Sequence, residues 1–96
     1  MRFYFHPDAE VEFDRAVGYY EQFQPGLGLK FTEEVYAAIA RIIEYPDIYS
    51  ALSKNTRRCL INHFPFGLIY QVKTNTLRII AVANLYRKPG YWKERI

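Results

Sequence analysis

Apolar positions follow two different periods along this chain. Ala9, Phe13, Ala16 (with Val17), Tyr20 and Phe23 recur at steps of four and three, which places them on one stripe of a helix. Pro7 suits a first helical position, and acids at 8, 10 and 12 complement the positive end of the helix dipole. The pattern predicts a helix that starts near Pro7 and ends near Phe23, where Pro25-Gly26 break it. Leu27, Phe31, Val35, Ala38, Ile42 and Tyr45 form a second stripe, which Tyr36, Ile39 and Ile43 widen and Pro46 stops. A helix apolar over more than one face is expected to be covered on two sides.

Elsewhere the pattern is that of strands. Residues 2 to 5 (Arg-Phe-Tyr-Phe) are a short aromatic run. From Arg57 onward, stretches rich in β-branched and aromatic residues fall at about 57 to 64, 67 to 73 and 77 to 84, with turns at Pro65-Phe66-Gly67 and Thr74-Asn75-Thr76. The order strand, helix, helix, strand, strand, strand (β-α-α-β-β-β) predicts an α+β fold, a mostly antiparallel sheet with a helical hairpin on one face. The opposite face is then left for a partner or a function. Without an internal repeat, a low-complexity segment or a Gly/Ser linker, residues 1–96 are expected to form a single domain.

Half of the residues are apolar and 18% are aromatic, enough buriable surface for a globular chain. Cys59 is the only cysteine, which excludes an internal disulfide and leaves too few thiolates for a cysteine-rich zinc site. With only two histidines, far apart, neither a metal nor another cofactor is expected. The apolar run at the N-terminus is too short for a signal peptide, and no stretch approaches the ~20 apolar residues of a membrane span. The expected location is the cytoplasm, away from membranes.

Charge sharpens the picture. Residues 1 to 50 hold four basic side chains against nine acidic ones, whereas residues 51 to 96 hold nine basic ones against Glu94 alone. A half at +8 beside a half at −5 points to an acidic or polyanionic partner for the C-terminal half.

Five segments carry a resemblance. Ala16-Val-Gly-Tyr-Tyr-Glu, Pro25-Gly-Leu-Gly-Leu-Lys-Phe, Arg57-Arg58, Phe64-Pro-Phe-Gly-Leu-Ile-Tyr and Arg87-Lys-Pro-Gly-Tyr-Trp, in this order, resemble the RelE/ParE toxin superfamily, particularly its plasmid-stabilisation branch. The resemblance implies a growth-inhibiting toxin of a type II toxin–antitoxin system, bound by a cognate antitoxin protein whose neutralising segments are commonly acidic. It also implies a compact sheet with a helical hairpin, in agreement with the periodicity.

Two mechanisms divide that superfamily. The RelE-like branch cuts mRNA on the ribosome with cations and a His or Tyr near the C-terminus, whereas the ParE-like branch blocks DNA gyrase by binding. RNA cleavage needs a base, an acid and cations around one phosphate. Arg57, Arg58, Arg78, Arg87 and Arg95 are the candidate cations, and Arg suits bidentate phosphate contacts. Asn84 stands where many relatives carry His, and asparagine cannot transfer protons near neutral pH. The expectation is therefore a ParE-like toxin, with Arg58, Tyr86 and Arg87 as the catalytic set only under the nuclease alternative. A decayed toxin that serves only as antitoxin partner is a third reading.

The expected target- or antitoxin-binding residues are Arg57, Arg58, Arg78, Arg87, Tyr91, Trp92 and Arg95, together with Tyr36, Ile39 and Ile43 on the second helix. Tyr91 and Trp92 are also candidates for packing. His63 is read as a strand residue that could face the open surface beside Arg57 or Arg58, His6 as a helix-starting residue, and the acids mainly as solvated helix faces.

Overall fold

The aromatic run at the N-terminus, too short to be stable alone, is held in place by its neighbours. A computed structural model describes residues 1–96 and places this run as β1 (Arg2–Phe5), followed by α1 (Pro7–Phe23), α2 (Leu27–Glu44), β2 (Ser50–Ala51), β3 (Arg57–Leu60), β4 (Phe66–Lys73), β5 (Thr76–Asn84) and a short 3-10 turn at Lys93–Arg95. The strands form one sheet in the order β1-β5-β4-β3-β2. β1 is parallel to β5, and the other neighbours pair antiparallel.

Both helices begin and end where the pattern places them, and their caps explain why. His6 accepts a hydrogen bond at Nδ1 from the Asp8 N–H (3.0 Å), and Pro7 follows at the first helical position. The start of α2 is capped from α1: the Glu21 carboxylate accepts from the backbone N–H groups of Gly26 (3.0 Å) and Gly28 (3.1 Å). At Gly28 the helices touch closely, since a Cβ there would lie 2.8 Å from the Val17 carbonyl oxygen.

Between the helices and the sheet lies an aromatic core. Phe13, Tyr20, Phe31, Phe64 and Phe66 contact one another with ring centroids 4.8 to 6.1 Å apart, mostly edge to face, the arrangement that ring quadrupoles favour. Val35, Ala38 and Ile42 of α2 and Leu68, Tyr70, Leu77, Ile79 and Val82 of the sheet complete it.

The strand pattern departs from expectation in two places. β2 was absent from the reading, because two residues cannot display an alternation; it exists through pairing of Ser50 with Arg58 and Ala51 with Arg57. β3 stops at Leu60 and does not run to residue 64. His63 adopts a φ of 71°, and the Ile61 N–H reaches the Phe66 carbonyl (2.9 Å), so residues 61–65 close a tight loop whose apolar side chains still enter the core.

The face away from the helices is not left bare. Ile69, Ile80, Ala81 and Ala83 pack there against Trp92, which is 7% exposed. A register shift opposite Ile69/Tyr70 turns both Ile80 and Ala81 towards this cluster. No helix is long and apolar enough to cross a membrane.

Candidate binding surface at the end of β5

β1 pairs with β5 only as far as Ile79, so the next stretch of β5 lacks a strand on that side. Glu12, reaching from α1, accepts the Val82 N–H at Oε1 (3.0 Å). Arg95 donates from Nη1 to the Ile80 carbonyl (3.1 Å) and clasps Glu12 with both terminal nitrogens, each at 2.9 Å. Asp8 adds a weaker contact at 3.7 Å. Hydrogen bonding to Glu12 foremost raises the Arg95 pKa further. Arg78 completes the anchor by donating to the Arg95 carbonyl (2.8 Å). The C-terminal tail is thereby fixed across the sheet.

On the face away from the helices this anchored tail encloses a hollow of about 280 Å³. Arg58, Arg87, Lys88 and Lys93 line it, Trp92 and Ile69 contribute its apolar part, and no carboxylate borders it. Arg58 is held in place by its stem, which lies over Gly67: a Cβ at Gly67 would approach the Arg58 Cγ to 3.0 Å. The Arg58 Nε is buried without a hydrogen-bond partner. Arg87 stacks over the Tyr91 ring at 3.8 Å and stands 3.5 Å from the Glu12 carboxylate. The Tyr91 hydroxyl is buried and makes no hydrogen bond; burial first, then the Glu12 carboxylate beside it, pushes its pKa above the ordinary tyrosine range.

A second cleft, about 450 Å³, opens between α1 and the end of the sheet. Tyr19, Tyr20, Phe66 and Tyr86 give it aromatic walls, and Arg15 and Arg87 give it cations. Tyr86 is 87% exposed and Tyr19 64%. The cleft and the basic hollow share Asn84, Arg87 and Tyr91, so they adjoin around the end of β5. Asn84 uses its Oδ1 to accept the Tyr86 N–H (2.9 Å), which shapes the chain where it leaves the strand.

The sequence-derived candidates divide accordingly. Arg58 and Arg87 meet in the basic hollow, whereas Tyr86 borders the aromatic cleft and not the hollow. The guanidiniums of Arg57, Arg78 and Arg95 hold the fold: Arg57 donates to the Tyr49 carbonyl (2.8 Å), and the other two anchor the tail. Trp92 is buried and packs. On α2, Tyr36 is exposed, its ring edge-on to Phe3 and Phe13, and Ile43 is half-buried. Ile39 must be corrected, because at 2% exposure it belongs to the core and offers no docking surface.

His63 is corrected as well. It sits in the loop after β3, with Nε2 3.5 Å from Glu34 of α2, and not on a strand beside the arginines. Glu12, read as part of a solvated helix face, is largely buried and organises the tail. The signal was present: Glu12 stands three residues after Ala9 and four before Ala16, inside the buried stripe. Arg15, Tyr19, Lys88 and Lys93 also line the surface and were not singled out, since nothing in their spacing shows that the tail folds back to meet α1.

Comparison with known proteins agrees with this architecture. The family described as ParE toxin of type II toxin-antitoxin system, parDE, matches residues 3–85. A chain in the solved structure of the chromosomal ParDE TA system from P. aeruginosa aligns with a TM-score of 0.76 at 15% sequence identity, covering 88% of this chain and 96% of that one; at this identity the likeness concerns the fold. No curated protein sequence matches the chain.

Proposed function

The chain belongs to the ParE toxin family of type II toxin–antitoxin systems, matched over residues 3–85, and from this we propose that it acts in the cytoplasm by binding DNA gyrase, without turnover of its own, until a cognate antitoxin covers it. The observation that carries the reading is the separation of the would-be catalytic groups. Strand cleavage needs cations, a base and an acid around one phosphate. Arg58 lines only the hollow and Tyr86 only the neighbouring cleft; of the three residues common to both, Asn84 is not an acid or base, Arg87 is a cation, and the Tyr91 hydroxyl is buried with its pKa pushed up. An arrangement of fixed cations and exposed rings serves recognition without that third component.

The antitoxin reading rests on charge. An acidic segment laid over Arg58, Arg87, Lys88 and Lys93 would meet no carboxylate in the hollow, and Tyr36 offers exposed aromatic surface on the other side of the molecule.

The test is a gyrase supercoiling assay with purified toxin, paired with labelled thymidine and amino-acid incorporation in cells soon after induction. Loss of supercoiling and an early fall in thymidine uptake support the reading. An early fall in protein synthesis, with gyrase untouched, rejects it in favour of mRNA cleavage through Arg58, Arg87 and Tyr86. Toxicity that survives Tyr86→Phe would then count against cleavage too.

A further inference from the structure

From the free edge of β1 we propose an interaction surface for a second copy of this chain: two toxins join edge to edge, antiparallel about a two-fold axis at Tyr4, and continue the sheet across both copies.

The phase of β1 shows which backbone groups are free. β1 ends the sheet and pairs with β5 alone. The His6 N–H donates to the Ile79 carbonyl (2.8 Å), and successive residues of a strand turn their backbone groups to alternate sides. Tyr4 and His6 therefore face β5, whereas the N–H and C=O groups of Phe3 and Phe5 face outward. None of the chain's turns, loops or caps pairs with them. Proteins blunt an open edge with charges, prolines or bulges. β1 carries one charge, Arg2 at its start, and Pro7 lies beyond its end. The opposite edge, β2, is only two residues long.

This edge is complementary to itself. With Tyr4 opposite Tyr4 of the second copy, Phe3 of each chain faces Phe5 of the other, and both positions are hydrogen-bonded pairs of an antiparallel ladder. Every outward group of both copies is then paired. A shift of two residues that sets Phe3 opposite Pro7 loses a donor, because proline has no N–H. The two-fold arrangement leaves no further β1 edge, so association stops at two chains.

Side chains and charge fit the same register. Phe3 and Phe5 pack on the helix side against Tyr36 and Phe13, so Tyr4, 51% exposed, projects from the other face. In the pair it lies against its counterpart in the close, non-hydrogen-bonded position. Phe3 and Tyr36 are also exposed, and pairing extends their aromatic row across the axis. Arg2 falls opposite His6 of the second copy, at the start of an α1 whose first turn carries Asp8 and Glu10, so the strand's one charge meets the opposite sign. An edge this short makes a small interface, and the expected Kd is on the order of 10–100 μM.

Sedimentation velocity of the free toxin tests the proposal, at concentrations from about tenfold below to tenfold above that Kd. The mass is expected to rise from the 11.4 kDa of one chain towards twice that value. Tyr4→Lys sets like charges opposite each other at the axis and alters no buried residue; it is expected to weaken the dimer at least about tenfold with Tm unchanged. Cysteine variants read the register. On mild oxidation Tyr4→Cys is expected to form an interchain disulfide, its Cα atoms lying about 4.5 Å apart, whereas Phe3→Cys, set opposite Phe5, is not. The native Cys59 is buried and does not compete.

A monomer throughout overturns the proposal. So does a dimer that Tyr4→Lys leaves intact, or one that Tyr4→Cys cross-links no better than Phe3→Cys. A free toxin that stays monomeric but whose Phe3 and Phe5 amides exchange more slowly once antitoxin is bound overturns it in favour of that partner. Because gyrase is absent from these measurements, their outcome is independent of the supercoiling assay.

Discussion

Glu12 and Arg95, 83 residues apart, act as one unit that completes the edge of β5: the carboxylate takes the Val82 N–H while the guanidinium supplies the Ile80 carbonyl. These backbone groups would face a neighbouring strand if β1 were longer, and a buried group left unpaired is costly. The clasp therefore replaces two ladder bonds with two side chains and anchors the tail at the same place.

Removing either partner leaves the other charge poorly compensated in a mostly buried setting. Arg95→Ala and Glu12→Ala are each expected to cost about 2–4 kcal/mol, and the double variant less than the two together. Urea denaturation of the four proteins measures this. Trypsin should also cut Arg95→Ala faster at Arg87 and Lys93; unchanged cleavage would mean that Trp92 alone holds the tail.

Alkaline pH supplies a second expectation. Tyr70 donates its hydroxyl to the Pro46 carbonyl (2.7 Å), and burial first of all pushes its pKa from 10.0 up to about 12. A pKa raised on folding means that the contribution is complete below pH 10 and is lost as pH rises towards 12. Urea midpoints followed from pH 8 to 12 should hold steady and then fall, less steeply in Tyr70→Phe. That variant should also lose about 1 kcal/mol at neutral pH with the hydrogen bond. An identical alkaline slope in both proteins would remove Tyr70 from the account.

Much of this arrangement was legible beforehand because it is local. Helix periods, the proline at position 7, the Pro25-Gly26 break and the strand runs all act over a few residues, and they place both helices and the three main C-terminal strands. What escaped is set by tertiary contact. β2 exists only because β3 lies beside it, and His63 is drawn towards Glu34 by a loop whose apolar members imitate a strand. Ile39 reads as surplus apolar surface until the sheet covers it, and Glu12 reads as a surface acid until the tail returns from the far end of the chain. The cation positions were visible in the sequence, but not which arginines the fold consumes.

The turn between β4 and β5 is strained by its own residues. Thr74 and Asn75 adopt φ values of 51° and 56°, the left-handed pair that a two-residue hairpin turn requires and that Asn-Gly satisfies best. A β-branched residue in that region is unfavourable. The double change Thr74→Asn, Asn75→Gly is expected to stabilise by about 1 kcal/mol, which for a chain of this size raises Tm by about 4–8 °C. Scanning calorimetry checks it, and a lower Tm would show that Thr74 contributes something the backbone geometry does not reveal.

Arg58 places stability and binding in opposition. Its Nε is buried without an acceptor while its stem packs over Gly67, so the folded toxin carries an unmet donor, and only the terminal nitrogens of the guanidinium are left to meet a ligand in the hollow. Methionine keeps the stem's bulk and removes the donor. Arg58→Met is accordingly expected to gain about 1 kcal/mol of stability, by urea denaturation, while losing toxicity. A variant that is more stable and still fully toxic would show that the hollow does not contact the target; one that is less stable would show that the guanidinium finds a partner in solution that offsets the burial of its nitrogen.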